Sequence, residues 1–322
     1  MKKWSSILVF VVVAGALLLS ACGAAPTAAA TTAPAAAVPA TVAPTEAPAT
    51  AVATSAPTPV AQIPATDLVQ KGHLLMCSDV PYPPQEFFDE NGNPVGLDVE
   101  IGQEIANRLG LQFQVVNSVF DTIIAAVTSG KCDIIISAMN ITPDRQKQVS
   151  MIPYFEAGQS FVTAVGNPNN ITTALDLCGK SVAAESGTTE ASYLQGTDTY
   201  AGKGLTQECT AAGKPAPTVV ITQKDTDALQ QLQSGKVAAY STDSPVAAYY
   251  VTQHPDQFVV VGQLIEPIPE GIAIPCGASD CTTAPLTAVG QAVQTAFNSM
   301  VADGTYLQIL TKWNLANSAI KP

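Results

Sequence analysis

Arg145 closes the stretch Ser137-Ala138-Met139-Asn140-Ile141-Thr142-Pro143-Asp144-Arg145. A guanidinium can hold a carboxylate there through two parallel hydrogen bonds, or it can make a surface ion pair. Asp243, in Thr242-Asp243-Ser244-Pro245, offers a carboxylate to an ammonium, or caps the helix that Pro245 opens. Gly187-Thr188-Thr189 reads as a helix start, where free backbone N–H groups and hydroxyls suit an anion. Tyr82 and Phe120 are aromatics close to these turns, serving a ligand or the core. Together the set matches a zwitterion: Arg145 for its carboxylate, Asp243 for its ammonium, the aromatics for its side chain. Zinc chemistry is disfavoured, because the only histidines are His73 and His254 and there is no Cys-x-x-Cys pair.

These residues fall at the ends of regular elements. Asp133-Ile134-Ile135-Ile136 is a short β-branched run that reads as a buried strand leading toward Arg145. The polar run Gln146-Lys147-Gln148 opens a short helix. In an open α/β sheet, ligands gather at the carboxyl ends of strands. Upstream, the pattern predicts a strand over 73–78, ending at Asp79, and a Pro-rich loop over 79–88. A helix over 98–109 carries Val99, Ile101, Ile105 and Leu109 and stops at Gly110. A strand over 111–116 and a helix over 121–129 complete a β-α-β-α-β unit, hence a parallel sheet. A second α/β unit follows, with strands at 158–165, 181–184, 218–221 and 237–241. Its helices start at Gly187, run over 227–233 with Asp225 as a cap, and run from Pro245 to about 252. Short strands at 258–261 and 271–274 precede two amphipathic helices, 285–302 and 305–313, split by Asp303-Gly304.

The ends of the chain and its cysteines bound the compartment. Lys2 and Lys3, an apolar run over 7–19 and Leu19-Ser20-Ala21-Cys22 form an export signal, too short for a spanning helix. It resembles the lipobox of bacterial lipoproteins, in which the cysteine, here Cys22, carries the lipid. Residues 23–65 are nearly all Ala, Thr, Pro and Val, with Glu46 the one charge, so they read as a disordered tether. Six further cysteines in an exported chain favour disulfides. Proximity favours Cys276–Cys281; Cys178 and Cys209 flank one segment; Cys77 and Cys132 lie on strands expected to be neighbours. The formal net charge is −12, and no Lys/Arg cluster is present, so nucleic acid is not an expected partner.

From about Leu68 to Trp313 the chain resembles the bacterial extracellular solute-binding proteins of polar amino acid ABC transporters (family 3), such as the glutamine-binding and lysine/arginine/ornithine-binding proteins. The resemblance rests on the 79–88 loop, Gly96-Leu97-Asp98-Val99, Ser129-Gly130-Lys131-Cys132-Asp133, Ile141-Thr142-Pro143-Asp144-Arg145, Ser186-Gly187-Thr188-Thr189, Asp243-Ser244-Pro245 and Asp303-Gly304-Thr305-Tyr306. It implies a periplasmic-binding-protein-like type II α/β fold: two lobes joined by two hinge strands, with the ligand cleft between them. Lobe 1 would be 67–157 plus 268–322, and lobe 2 would be 158–267, after a signal at 1–22 and a tether at 23–66. Arg145 would hold an α-carboxylate with backbone N–H groups near Asn140 and Thr189. Asp243 and the Ala138 carbonyl would hold the α-ammonium, and Tyr82 and Phe120 would sandwich the side chain. Asp79 and Glu185 would lie at its far end, favouring a cationic amino acid unless Glu185 faces solvent. Thr188 belongs to the same turn. Three departures stand out: Asn140 in place of Thr or Ser, Ala238-Ala239 in place of Asp-Ala, and Gln85 in place of Phe at the rim.

The resemblance implies a monomeric, extracytoplasmic binder without cofactor or metal, anchored through Cys22 and serving ABC permease subunits. Two other readings share the fold. An exported enzyme, such as a dehydratase of cyclic carboxylic acids, would use Glu185 or Asp79 as acid or base. An amino acid sensor would signal through a partner, though no output domain is appended.

Overall fold

The computed structural model describes residues 59–197, 204–265 and 267–320, so the export signal, Cys22 and the tether up to residue 58 lie outside the described residues. The chain begins with β1 (His73–Ser78), a small hairpin of β2 (Phe87–Phe88) and β3 (Pro94–Val95), α1 (Leu97–Leu109) and β4 (Gln112–Asn117). It continues through α2 (Ile123–Thr128), β5 (Ile134–Ile135), α3 (Pro143–Gln146) and β6 (Ser150–Ala157). Next come β7 (Gln159–Ala164), β8 (Ser181–Glu185), α4 (Thr189–Gln195), α5 (Leu205–Ala211) and β9 (Thr218–Thr222). After α6 (Asp225–Gln233), β10 (Ala239–Asp243), α7 (Ser244–Gln253) and β11 (Phe258–Val261), the chain returns through β12 (Ile268–Ile274) to α8 (Ala288–Asp303) and α9 (Thr305–Lys312).

Two five-stranded sheets result, ordered β4-β1-β5-β12-β6 and β11-β7-β10-β8-β9. β1 pairs parallel with β4 and β5, as right-handed crossovers through α1 and α2 require. β12 and β6 then add antiparallel, making the sheet mixed. The second sheet is parallel across β10, β8 and β9, with β7 antiparallel to β10. The chain leaves the first sheet through Ala157, Gly158 and Gln159 and re-enters it at β12. That return delivers α8 and α9 to the α1 face of the first sheet, where Val293, Phe297, Tyr306 and Leu310 join Ile101, Ile105 and Leu74 in one core.

Several readings of the sequence need correction. Residues 150–157, given no element by the sequence pattern, form a full strand, β6. Pro153 hides the signal but is tolerated because β6 is the sheet edge, opposite the register shift at Glu270/Gly271. The short helix near Gln146 starts earlier, at Pro143, with the Thr142 hydroxyl accepting from Arg145 N at 3.3 Å. α5 went unread. Asp225 is not a helix cap: Lys224 is the N-cap residue, and Asp225 turns inward to accept from Tyr240 Oη and from Thr242 Oγ1 at 3.1 Å. Gln85 is not at the rim; within the Pro-rich loop it is fully buried and does not line the cavity described below. The packed body also reaches back before residue 67: Ala61 and Ile63 lie against the first core, and Val60 N donates to Arg108 O at 2.9 Å.

Three disulfides form: Cys77–Cys132 ties β1 to the approach to β5, Cys178–Cys209 anchors α5, and Cys276–Cys281 clips a short loop. Cys178 and Cys209 lie 31 residues apart, and a loop of that length costs the unfolded chain about 3–4 kcal/mol of closure free energy. Cys178→Ser with Cys209→Ser is therefore expected to lower unfolding free energy by a few kcal/mol, read in urea. An unchanged midpoint would mean that this bridge does not constrain the unfolded state.

Candidate functional site

The carboxyl ends of both sheets face one cavity of about 310 Å³, counting the space at its mouth. It brings together all ten residues singled out in the sequence: Asp79, Tyr82, Phe120, Ala138, Asn140, Arg145, Glu185, Thr188, Thr189 and Asp243. Glu86, Ser137 and Glu190 also line it and were missed. Glu190 follows the Gly-Thr-Thr turn, where an acid reads as an ordinary partner of the helix dipole.

Arg145 is placed by α3, which Thr142 caps. Its guanidinium is buried, so the surface ion-pair alternative fails. Nη1 donates to Asn140 O at 2.8 Å and Nη2 to Gly187 O at 3.0 Å, and its Cζ lies 5.3 Å from the Phe120 ring centre. Burial pulls its pKa down to about 10, against the pull of Glu190, Asp243 and Glu270, so it stays cationic at neutral pH. Two N–H groups on carbonyls leave three of its five donors free of those bonds. The Gly187 contact crosses from one sheet to the other. Gly187 has φ 78°, and a Cβ there would stand 2.8 Å from Asp121 Cα, so only glycine lets the two faces approach this closely. Nearby, Thr189 Oγ1 donates to Asn140 Oδ1 at 2.6 Å, while Thr188 Oγ1 caps α4 by accepting from Ala191 N at 3.1 Å.

Asp243 sits at the N-cap position of α7, yet its side chain makes no capping bond. Its Oδ2 instead accepts from Tyr82 Oη at 2.8 Å, and its N–H donates back to Tyr82 Oη at 3.1 Å. The Tyr82 hydroxyl thus ties the Pro-rich loop to the end of β10. Asp243 Oδ1 and Glu190 Oε1 are buried without a donor partner among the described residues. Burial, and then the neighbouring Glu190 charge, push Asp243 well above the usual carboxylate range; burial also raises Glu190. An ammonium supplies what both oxygens lack.

At the far end, Asp79 accepts from Phe120 N and pairs with Lys224, a lysine that sequence reasoning did not single out. Glu185 is buried rather than turned to solvent, with Oε1 lacking a donor. Burial, then the Asp79 charge, push it up to about 10. On the cavity wall, Ser137 Oγ donates to Glu86 Oε1 at 2.6 Å; behind it, Asp98 accepts from Ala138 N and Tyr154 Oη, each at 2.8 Å. The Ala138 bond steadies a non-glycine residue at φ 43°, a conformation that is costly unless its surroundings impose it.

The model of the bacterial extracellular solute-binding proteins, family 3, matches residues 74–316. The chain belongs to that family. It is 28% identical to the arginine-binding protein ArgT of Corynebacterium glutamicum, over 80% of this chain and 81% of the relative. Among solved structures it is similar to an ancestral arginine-binding protein bound to arginine, with TM-score 0.64 and 35% identity, covering 75% of this chain and 98% of that one. The structure of an ancestral arginine-binding protein bound to glutamine gives TM-score 0.65 and 35% identity, covering 76% and 99%. The fold is the type II α/β architecture of this solute-binding family. Among the described residues no helix is long and apolar enough to cross a membrane, and no cluster of His, Cys, Asp and Glu could hold a metal ion.

Proposed function

We propose that this solute-binding protein captures a polar, cationic L-amino acid between its two sheets and delivers it to the membrane subunits of an ABC importer. One observation carries the reading. Among the described residues, a buried guanidinium without a carboxylate partner shares a cavity with a close acid pair, Asp243 and Glu190, which can share one proton but each keep an oxygen, Oδ1 and Oε1, that no other donor reaches. That polarity fits an α-carboxylate and an α-ammonium held a few bonds apart. The arginine-binding relatives support the ligand class. The lobes would be 67–157 with 268–322, and 158–267, hinged where the chain crosses at β6–β7 and before β12. Anchoring through a lipid on Cys22 completes the reading; incorporation of a labelled fatty acid, lost in Cys22→Ala, tests it.

The ligand class is tested by calorimetric titration of the purified protein with arginine, lysine, histidine, glutamine and glutamate. Arginine or lysine is expected to bind tightest and glutamate not at all. Glu185→Gln is expected to weaken arginine about tenfold, because an ionised Glu185 gives a guanidinium a charge-assisted bond that a neutral amide does not. Tighter binding of glutamine than of arginine would overturn the cationic preference. The reading is of a binder and not an enzyme; turnover of a cyclohexadienyl acid that disappears in Glu185→Gln would replace it.

A further inference from the structure

We propose that Lys224 is a specificity-determining residue: a built-in cation in the far subsite that lets the cleft accept uncharged side chains beside cationic ones. The inference rests on the amino acid reading above. Lys224 is the N-cap residue of α6, on the second sheet's side, yet its ammonium reaches Asp79 at the end of β1 and lies 3.3 Å from Val80 O. The second Asp79 oxygen accepts from Phe120 N. Both oxygens of the acid that would meet a ligand's far end are therefore engaged by the chain itself. Glu185 lies beside Asp79 and shares a hydrogen bond with it, buried, with Oε1 lacking a donor among the described residues.

The consequence is a matter of charge. An uncharged amide or ureido group meets a neutralised Asp79–Lys224 pair and a protonated Glu185, and nothing need change its charge. A guanidinium brings a second cation, which is balanced only if Glu185 ionises or Lys224 withdraws. Withdrawal is open to it, since the Lys224 side chain is 24% exposed against 5% for Asp79. Without Lys224, Asp79 is a buried anion that an uncharged ligand leaves unpaired, and a cation becomes the favoured occupant.

Arginine and citrulline separate these effects, because they differ in charge and hardly in shape. Affinities of both, and of glutamine, are measured by calorimetry for wild type, Lys224→Met and Lys224→Arg. Removing the tie across the cleft weakens closure equally for every ligand, so the ratio of affinities is the readout. Lys224→Met is expected to raise the arginine-to-citrulline ratio at least tenfold, while Lys224→Arg keeps it near wild type. An equal change for both ligands in Lys224→Met makes Lys224 a tie across the cleft only and overturns the inference. So does a shift in Lys224→Arg as large as that in Lys224→Met. If no variant and not the wild type binds any of the three, the amino acid reading fails and this inference with it.

Discussion

Arg145→Ala is expected to lower amino acid affinity at least a hundredfold in calorimetry, while the protein without added ligand keeps a cooperative thermal transition. Truncating one partner of a buried, hydrogen-bonded charge pair costs about 2–5 kcal/mol, and more where the other charge stays buried. The proposed ligand carboxylate would be such a charge. The fold survives because the guanidinium contributes two bonds to carbonyls, Asn140 O and Gly187 O, and removing it also removes the cost of burying a cation. Arg145→Lys is expected to bind nearly as poorly, since a point charge cannot span both carbonyls and still present a fork. Near-native affinity in Arg145→Ala would remove the carboxylate from this end of the cavity. Loss of the thermal transition would show that Arg145 supports the fold instead.

The second large effect is an inverted pH dependence. Nine buried acids, Asp79, Glu86, Asp98, Asp133, Glu185, Glu190, Asp225, Asp243 and Glu270, are all pushed up, chiefly by burial. Asp98 reaches about 6, Asp225 about 7 and Glu185 about 10. An acid raised on folding holds a proton that the unfolded chain has already released above about pH 4. Its contribution to stability is whole below the unfolded value and is lost as pH rises through the folded one. Without added amino acid, the protein is therefore expected to be less stable at pH 8 than at pH 5, by about 2 kcal/mol or more, or ~4–8 °C in Tm. Arginine is expected to narrow the gap, because its cations take the place of protons at Asp243 and Glu185. Its binding should then release protons, seen as a buffer-dependent calorimetric enthalpy, and Asp243→Asn should lose part of that release. A Tm that rises from pH 5 to pH 8 without ligand would mean that these acids are already ionised in the folded protein.

The sequence by itself determined most of the elements and ten residues of the cavity wall. β-branched runs such as Ile134-Ile135-Ile136, the 3.6-residue spacing of Ile101, Ile105 and Leu109, and stops such as Gly110 are local signals, so strands, helices and the turns at their ends could be read. Because ligand-facing groups in α/β folds sit at those turns, Asp79, Arg145, Thr189 and Asp243 came with them. The tertiary structure decided the rest, and each case is one of partners distant in the chain. β6 exists as a strand because β12, more than a hundred residues later, pairs with it despite Pro153. Asp225 looked like a helix cap, but Tyr240 and Thr242 draw it inward. Glu190 carries no local signal beyond its place in the first turn of α4; its partner Asp243 comes from more than fifty residues later. Nothing local marks Lys224; only the approach of the two sheets brings it to Asp79, 145 residues away. Charge and burial of this kind belong to pairs of residues, and neither residue of a pair displays them alone.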